Sequence, residues 1–99
     1  MVNQAIAVPV LGMCWQVDAP ALLLACADNT IKKWDLPSNQ VSVIGQHNQP
    51  VKDVANFTVP GMNVNVVVSG GYDARVKFWT WSGPSQLNLA QEIYVAMPV

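Results

Sequence analysis

Charge is scarce in this sequence: 11% of its 99 residues are Asp, Glu, Lys or Arg, and the balance is -1 at pH 7. So weak a field exerts no overall pull on nucleic acid or an anionic membrane, and any such contact would have to be local. Histidine occurs once and cysteine twice. A single imidazole and no closely spaced cysteine pair are too few ligands for a zinc centre, so neither metal nor cofactor is expected. Cys14 and Cys26 sit in apolar runs without the spacing of a disulfide framework. They read as reduced core thiols, which fits the cytosol or nucleus. Long apolar runs are also missing. The longest, residues 19–27, has about nine residues where a spanning helix needs about 20, so no membrane insertion is expected. The opening "MVNQAIAVPV" lacks the basic start of a secretory signal.

What the chain does have is apolar content, 52% by composition, and a period. The length predicts one domain and the composition a chain that buries most of its apolar surface. Two segments, residues 9–36 and 50–81, match one another. Pro9 and Pro50 lie 41 residues apart, while Asp28 and Asp73, Lys32 and Lys77, and Trp34 and Trp79 lie 45 apart. The difference of four falls in "TVPGMN", which reads as a loop where insertion costs little. A period of about 40 to 45 with Asp and Trp at fixed offsets is the pattern of propeller blades.

The local pattern agrees. Short runs rich in Val, Ile, Leu and aromatics are punctuated by "DN", "LPSNQ", "QHNQP", "VPGMN", "GGYDA" and "SGPSQ", which predicts an all-β chain. Strands are expected at 10–16, 22–27, 30–35, 41–44, 51–57, 65–69, 75–81 and 86–89. The second strand of each repeat, "LLLACA" and "VNVVVS", is almost continuously apolar, as a central strand packed on both faces must be.

On these residues the chain resembles the WD40-repeat β-propellers. The resemblance implies a hydrogen-bonded tetrad in the second repeat: His47 at the place of the family's Gly-His dipeptide, Ser69 on the second strand, Asp73 in the following turn, and Trp79 on the third strand. Buried imidazole, hydroxyl, carboxylate and indole groups must satisfy one another once taken out of water. The first repeat keeps only Asp28 and Trp34; Ile6 and Leu24 occupy the other two positions. A narrower resemblance runs from about residue 9 to 89. "WDLPSNQVSVIGQHNQPVK", followed by "SGGYDARVKFWTW", is similar to the middle blades of the WD-repeat mRNA export factors of the nuclear pore. "WDLxSNQ" and "QHxxPVK" carry most weight, because generic repeats vary there. The mitotic checkpoint propellers share the blade pattern and resemble this connection less. The ends, including "EIYVAMPV" and Trp81 after Thr80, depart from the family.

The expected architecture is about two blades, a partial propeller over residues 1–99 of a fold that has seven blades in the family. Repeat one covers about 9–45, repeat two about 46–89, and a further strand begins within 90–99. Two blades cannot close a ring, so the chain is expected to be a fragment in structural terms, with open apolar faces and strand edges.

The resemblance implies a non-catalytic protein-interaction scaffold in mRNA export, with a nucleoporin GLEBS-type peptide as partner and the nucleus, nuclear envelope, pore and cytoplasm as its places. The alternatives are a truncated or purely structural remnant without binding activity and a mitotic checkpoint-type propeller. Ser69, His47 and Asp73 have the residue types of a hydrolase triad, but a buried strand serine is no exposed nucleophile, and no small-molecule substrate is expected. Lys32, Lys33 and Lys77 read as solvated strand faces rather than an RNA site, so RNA contact is only weakly supported. Candidate partner-binding residues are Tyr72, Arg75, Gln49 and Lys52. Tyr72, Arg75 and Gln49 belong to the rim formed by residues 28–29, 46–50 and 72–75, with Lys52 two residues past it, opposite the rim of "LPSNQ", "TVPGMN" and "SGPSQ".

Overall fold

The chain folds as two antiparallel meanders. The computed structural model describes residues 8–83 and 86–95. Its strands are β1 (Val10–Trp15), β2 (Ala21–Cys26), β3 (Thr30–Asp35), β4 (Gln40–Gln46), β5 (Val51–Val59), β6 (Val64–Gly71), β7 (Arg75–Gly83) and β8 (Gln86–Tyr94). They pair in chain order into two four-stranded sheets, β1-β2-β3-β4 and β5-β6-β7-β8, here called blade one and blade two. These are the two expected blades, and they do not close into a propeller. Ile6, Pro84 and Ser85 of the "SGPSQ" turn, and residues 96–99 of the expected further strand lie outside the described residues.

Turn chemistry sets the hairpins. In blade one, Asp28 Oδ1 accepts from Thr30 N at 3.3 Å and from its hydroxyl at 2.5 Å, while Asn29 takes the left-handed conformation (φ 74°) that closes the β2–β3 turn. Asp35 Oδ2 accepts from Ser38 N at 3.2 Å ahead of Asn39 (φ 55°) at the β3–β4 turn. Blade two departs from this at one point. The β6–β7 turn places Ala74 at φ 61°, where blade one has an asparagine, and a Cβ without a compensating side-chain hydrogen bond is costly there.

Three expectations need correction. The expected loop "TVPGMN" is a tight turn of four residues, with Thr58 and Val59 in the strand. β5 and β6 pair as far as Val59 with Val64, so the insertion lengthens the hairpin, and the turn shrinks to residues 60–63. β-Branched Thr58, Val59 and Val64 continue the ladder that shorter strands in blade one lack. β8 runs to Tyr94, so residues 90–94 extend the fourth strand instead of opening another. The lysines are not solvated: Lys33 is 7% exposed, its stem laid along Trp81 with the ammonium 5.3 Å from the ring centre. Lys32 pairs with Asp28 at 2.6 Å, and Lys77 donates to the Gln46 carbonyl at 2.9 Å.

The core lies between the blades. Leu23, Ala25, Ile31 and Ile44 of blade one meet Val51, Val54, Val67, Trp79 and Leu87 of blade two, with Cys14 and Trp81 at the margin. Both cysteines are free. Burial, helped by the nearby Asp53 charge, pushes the Cys14 thiol up to about 11, so it stays protonated and poorly nucleophilic at neutral pH. The body is a flat slab of 41 × 35 × 17 Å, and the other face of each sheet is left uncovered.

Candidate functional site

Four elements converge on the polar site. His47 follows β4, Ser69 ends the apolar run of β6, Asp73 sits in the β6–β7 turn, and Trp79 lies at the middle of β7. Trp79 Nε1 donates to Ser69 Oγ at 2.8 Å, and Ser69 Oγ lies 2.8 Å from His47 Nε2. His47 Nδ1 lies 3.1 and 3.0 Å from the two Asp73 oxygens. Asp73 also accepts from the backbone N–H groups of Asn48 at 3.0 Å and Arg75 at 3.1 Å. The structure thus brings together all four residues of the implied tetrad.

One proton arrangement satisfies every group. A carboxylate is acceptor only, so His47 Nδ1 carries the hydrogen; Nε2 is then an acceptor and takes the Ser69 hydroxyl hydrogen. Ser69 Oγ in turn receives the Trp79 indole hydrogen. The imidazole is neutral in this chain of bonds. Burial lowers the His47 pKa below its usual value, and Asp73, which favours the charged form, does not overcome that loss of hydration. Burial acts on Asp73 in the opposite sense, raising it, but the Asn48 N–H, His47 and Arg75 N–H together hold its carboxyl below the usual range. Ser69 is 1% exposed and both its hydrogen and a lone pair are engaged, so its oxygen has no path to a substrate.

Two glycines complete the site. A Cβ on Gly71 would lie 2.8 Å from His47 Nδ1 and 2.9 Å from Asp73 Oδ1, so only glycine lets β6 pass beneath the pair. Close approach of the backbone, not a turn conformation, is what requires glycine at position 71. Gly45, which sequence reasoning missed, lies where a Cβ would meet Ile31 at 3.0 Å and the Trp79 ring at 3.4 Å. It is the seat of that indole on blade one.

Blade one builds no such network. Leu24 stands at the place of Ser69, Asp28 turns to Thr30 and Lys32, and the Trp34 indole donates to Asn39 Oδ1 at 3.1 Å. The partial pair is therefore not brought together: Asp28 and Trp34 serve two separate turns.

The turns at residues 27–29, 46–50 and 72–74 share one rim. His47 N donates to the Asn29 carbonyl at 2.8 Å, Asn48 N to Asp73, and Tyr72 N to the Pro50 carbonyl at 3.0 Å. Tyr72 is 45% exposed on this rim, and Gln49 and Lys52 are exposed beside it. The Arg75 guanidinium is stacked 4.6 Å from the ring centre of Tyr94, its cross-strand partner. Tyr94, 64% exposed, adds a second aromatic to the rim that the sequence reading had not named.

Comparison with known proteins gives the same repeat. The family model described as "WD domain, G-beta repeat" matches residues 7–35 and 38–80. The chain is 37% identical over 90 residues to the mRNA export factor rae-1 of Caenorhabditis elegans, covering 90% of this chain and 24% of that protein. It is 34% identical over 91 residues to Protein Rae1 of Drosophila melanogaster, covering 89% of this chain and 26% of the other. With the mRNA export factor of Bos taurus it shares 46% identity over 52 residues, 52% of this chain and 14% of that protein. The chain spans about a quarter of the length of the first two relatives.

Proposed function

Because this chain belongs to the WD40-repeat family, we propose that it acts as a non-catalytic protein-interaction scaffold of the mRNA-export type, recognising a nucleoporin GLEBS-type peptide. The observation that carries this reading is the similarity to rae-1 over 90% of the chain, which spans both repeats and the connection between them. Its places are the nucleus, the nuclear envelope and pore, and the cytoplasm. Repeat one is taken as about 9–45 and repeat two as about 46–89. The tetrad of His47, Ser69, Asp73 and Trp79 serves as the internal brace that fixes the β4–β5 connection and the β6–β7 turn. The rim above it supplies the contact, with Tyr72 as anchor and Arg75, Gln49 and Lys52 around it. Exposed Tyr beside Arg is the composition most often found at interface anchors. An RNA partner draws less support, since Lys32, Lys33 and Lys77 are all held by groups of the chain itself.

Fluorescence anisotropy with a labelled GLEBS-type peptide tests the reading. Tyr72→Ala should weaken binding by roughly 30-fold, the equivalent of a 2 kcal/mol anchor. Met62→Ala, an exposed change on the opposite rim, should leave it unaltered. No binding by the wild-type chain, or equal losses at the two positions, would remove the case.

A further inference from the structure

The two sheets fan apart from their first strands to their fourth. β1 lies directly on β5, while β4 and β8 touch sparsely, so a wedge opens between the outer strand edges. Both walls are bulged there. β4 carries an extra residue, Ile44, between the pairs Ile31–Gly45 and Lys32–Val43, and β8 carries Ala90 between the pairs Phe78–Gln91 and Trp79–Leu89. A bulge at a sheet edge re-aims the side chains beside it. Ile44 turns into the core, and Val43 and Leu89 are left on the two lips at 50% and 48% exposure. Between them runs a groove of about 440 Å³ with Trp79 in its lining, a volume within the range of ligand sites. Its walls belong to the two blades described, and it opens along strand edges, not on a sheet face that a neighbouring blade would take.

The groove has a cationic head and an apolar body. Among the described residues, Lys77 is the one charged side chain that lines it. Its ammonium is fixed at the rim end, donating to the Gln46 carbonyl at 2.9 Å and lying 5.6 Å from the Trp79 ring centre. The Glu92 carboxylate stands 3.6 Å away, in charge contact but beyond hydrogen-bond length, so an ammonium with three hydrogens keeps donors to spare. The β7–β8 register sets Lys77, Trp79 and Trp81 at successive levels of one face, beside Glu92, Leu89 and Leu87. An extended chain also presents every second residue to one face, which matches one acidic and two apolar side chains at alternate positions. β4 and β8 both run toward the Lys77 end, as the pairs Thr30–Gln46 and Arg75–Tyr94 show. A strand antiparallel to either wall, the more stable pairing, has its N-terminal end at Lys77.

We propose that this groove binds a short extended segment of another protein in which an acidic residue is followed, at the second and fourth positions after it, by apolar residues. The carboxylate takes the spare Lys77 hydrogens and competes with Glu92 for them. The apolar side chains fill the space between Val43 and Leu89 over Trp79, and the unpaired backbone groups of the edge strands give the segment its hydrogen bonds. The groove lies on the outer strand edges, away from Tyr72, so this site is a second one and does not rest on peptide recognition by the rim.

Fluorescence anisotropy with the labelled peptide Asp-Thr-Leu-Thr-Leu tests this. The wild-type chain should bind it, and the same peptide with Asn in place of Asp should bind roughly 10-fold more weakly, as the loss of a charged hydrogen bond implies. Leu89→Asp, which sets a carboxylate on the apolar lip, should abolish binding. Glu92→Gln removes the competing carboxylate and should tighten binding, an outcome that a merely structural role for the Lys77–Glu92 pair would not give. Leu89 and Glu92 are exposed, and an unchanged far-ultraviolet circular dichroism spectrum shows that the fold survives; Val43→Asp replaces Leu89→Asp if it does not. No rise in anisotropy with wild-type chain up to about 0.5 mM overturns the proposal. Equal affinity for the Asp and Asn peptides, or a Glu92→Gln chain that binds no more tightly, overturns it as well. A wild-type chain that ignores the peptide and sediments as a dimer, with Leu89→Asp monomeric, overturns it in favour of a second copy in the groove.

Discussion

The two blades differ most where their sequences are most nearly aligned. Each has an Asp after its second strand and a Trp on its third, yet the residues between them decide what those side chains do. In blade two, Ser69 gives the Trp79 indole a buried acceptor and links it to His47 and Asp73. In blade one, Leu24 offers the Trp34 indole nothing, and the ring turns to Asn39 instead. Asp28, with no imidazole to hold, pairs with Lys32 at the surface. An Asp and a Trp at the right offset therefore mark a blade, while the hydroxyl and imidazole determine whether that blade is braced across to its neighbour. The bracing has a physical basis: a buried donor left without an acceptor costs about 1–3 kcal/mol, so the network must be complete or absent.

The largest way to sharpen this contrast is to remove each indole in turn. Trp79 is 6% exposed, and Trp79→Ala should cost roughly 3 to 5 kcal/mol of stability, read as a shift in urea midpoint. Trp34 is only partly buried, and Trp34→Ala should cost about 1 to 2 kcal/mol. Equal shifts would break the comparison. Lys33, read from the sequence as solvated, cannot serve as a neutral control because it is packed on Trp81. A smaller effect separates two glycines of blade two. Gly71→Ala drives a Cβ into the His47–Asp73 pair and should cost about 1 to 3 kcal/mol. Gly83→Ala, whose nearest neighbour is 3.9 Å away, should stay within about 0.5 kcal/mol in the same urea titrations. The smallest effect copies blade one into blade two: Ala74→Asn places a residue tolerant of the left-handed region where Asn29 sits in blade one. It should gain about 0.5 to 1 kcal/mol, seen as a higher melting temperature.

Much of this was legible in the sequence because it rests on offsets. The positions of His47, Ser69 and Trp79 relative to Asp73 are fixed by strand and turn lengths, and the eight strands follow from apolar runs and turn residues. What escaped depends on pairing across strands. Gly45 matters through the Trp79 ring it faces on the other blade, a contact between sheets that no strand register fixes, and Tyr94 through Arg75, across an irregular β7–β8 ladder whose register cannot be counted from sequence. Lys33 was misplaced for a related reason. In "TIKKWD" it alternates with Ile31 onto the core face, but its charge suggests water, and the contact that packs it, with Trp81, comes from the other blade. The extra four residues of repeat two contain Pro and Gly and so read as a loop, whereas the β-branched residues flanking them extend the ladder up to a tight turn.

The proton arrangement of His47 tests the braced blade most directly. Histidine occurs once in the chain, so imidazole signals in a long-range nitrogen–proton NMR correlation belong to that residue alone. The account predicts a neutral ring with its hydrogen on Nδ1 and a pKa below 6.5. The unfolded chain then binds more protons than the folded one between the two pKa values. The contribution of His47 to stability is accordingly complete above pH 6.5 and lost as the pH falls through the folded value. A hydrogen on Nε2, or a ring that titrates at or above 6.5 in the folded chain, would contradict the linkage from Trp79 through Ser69 and His47 to Asp73.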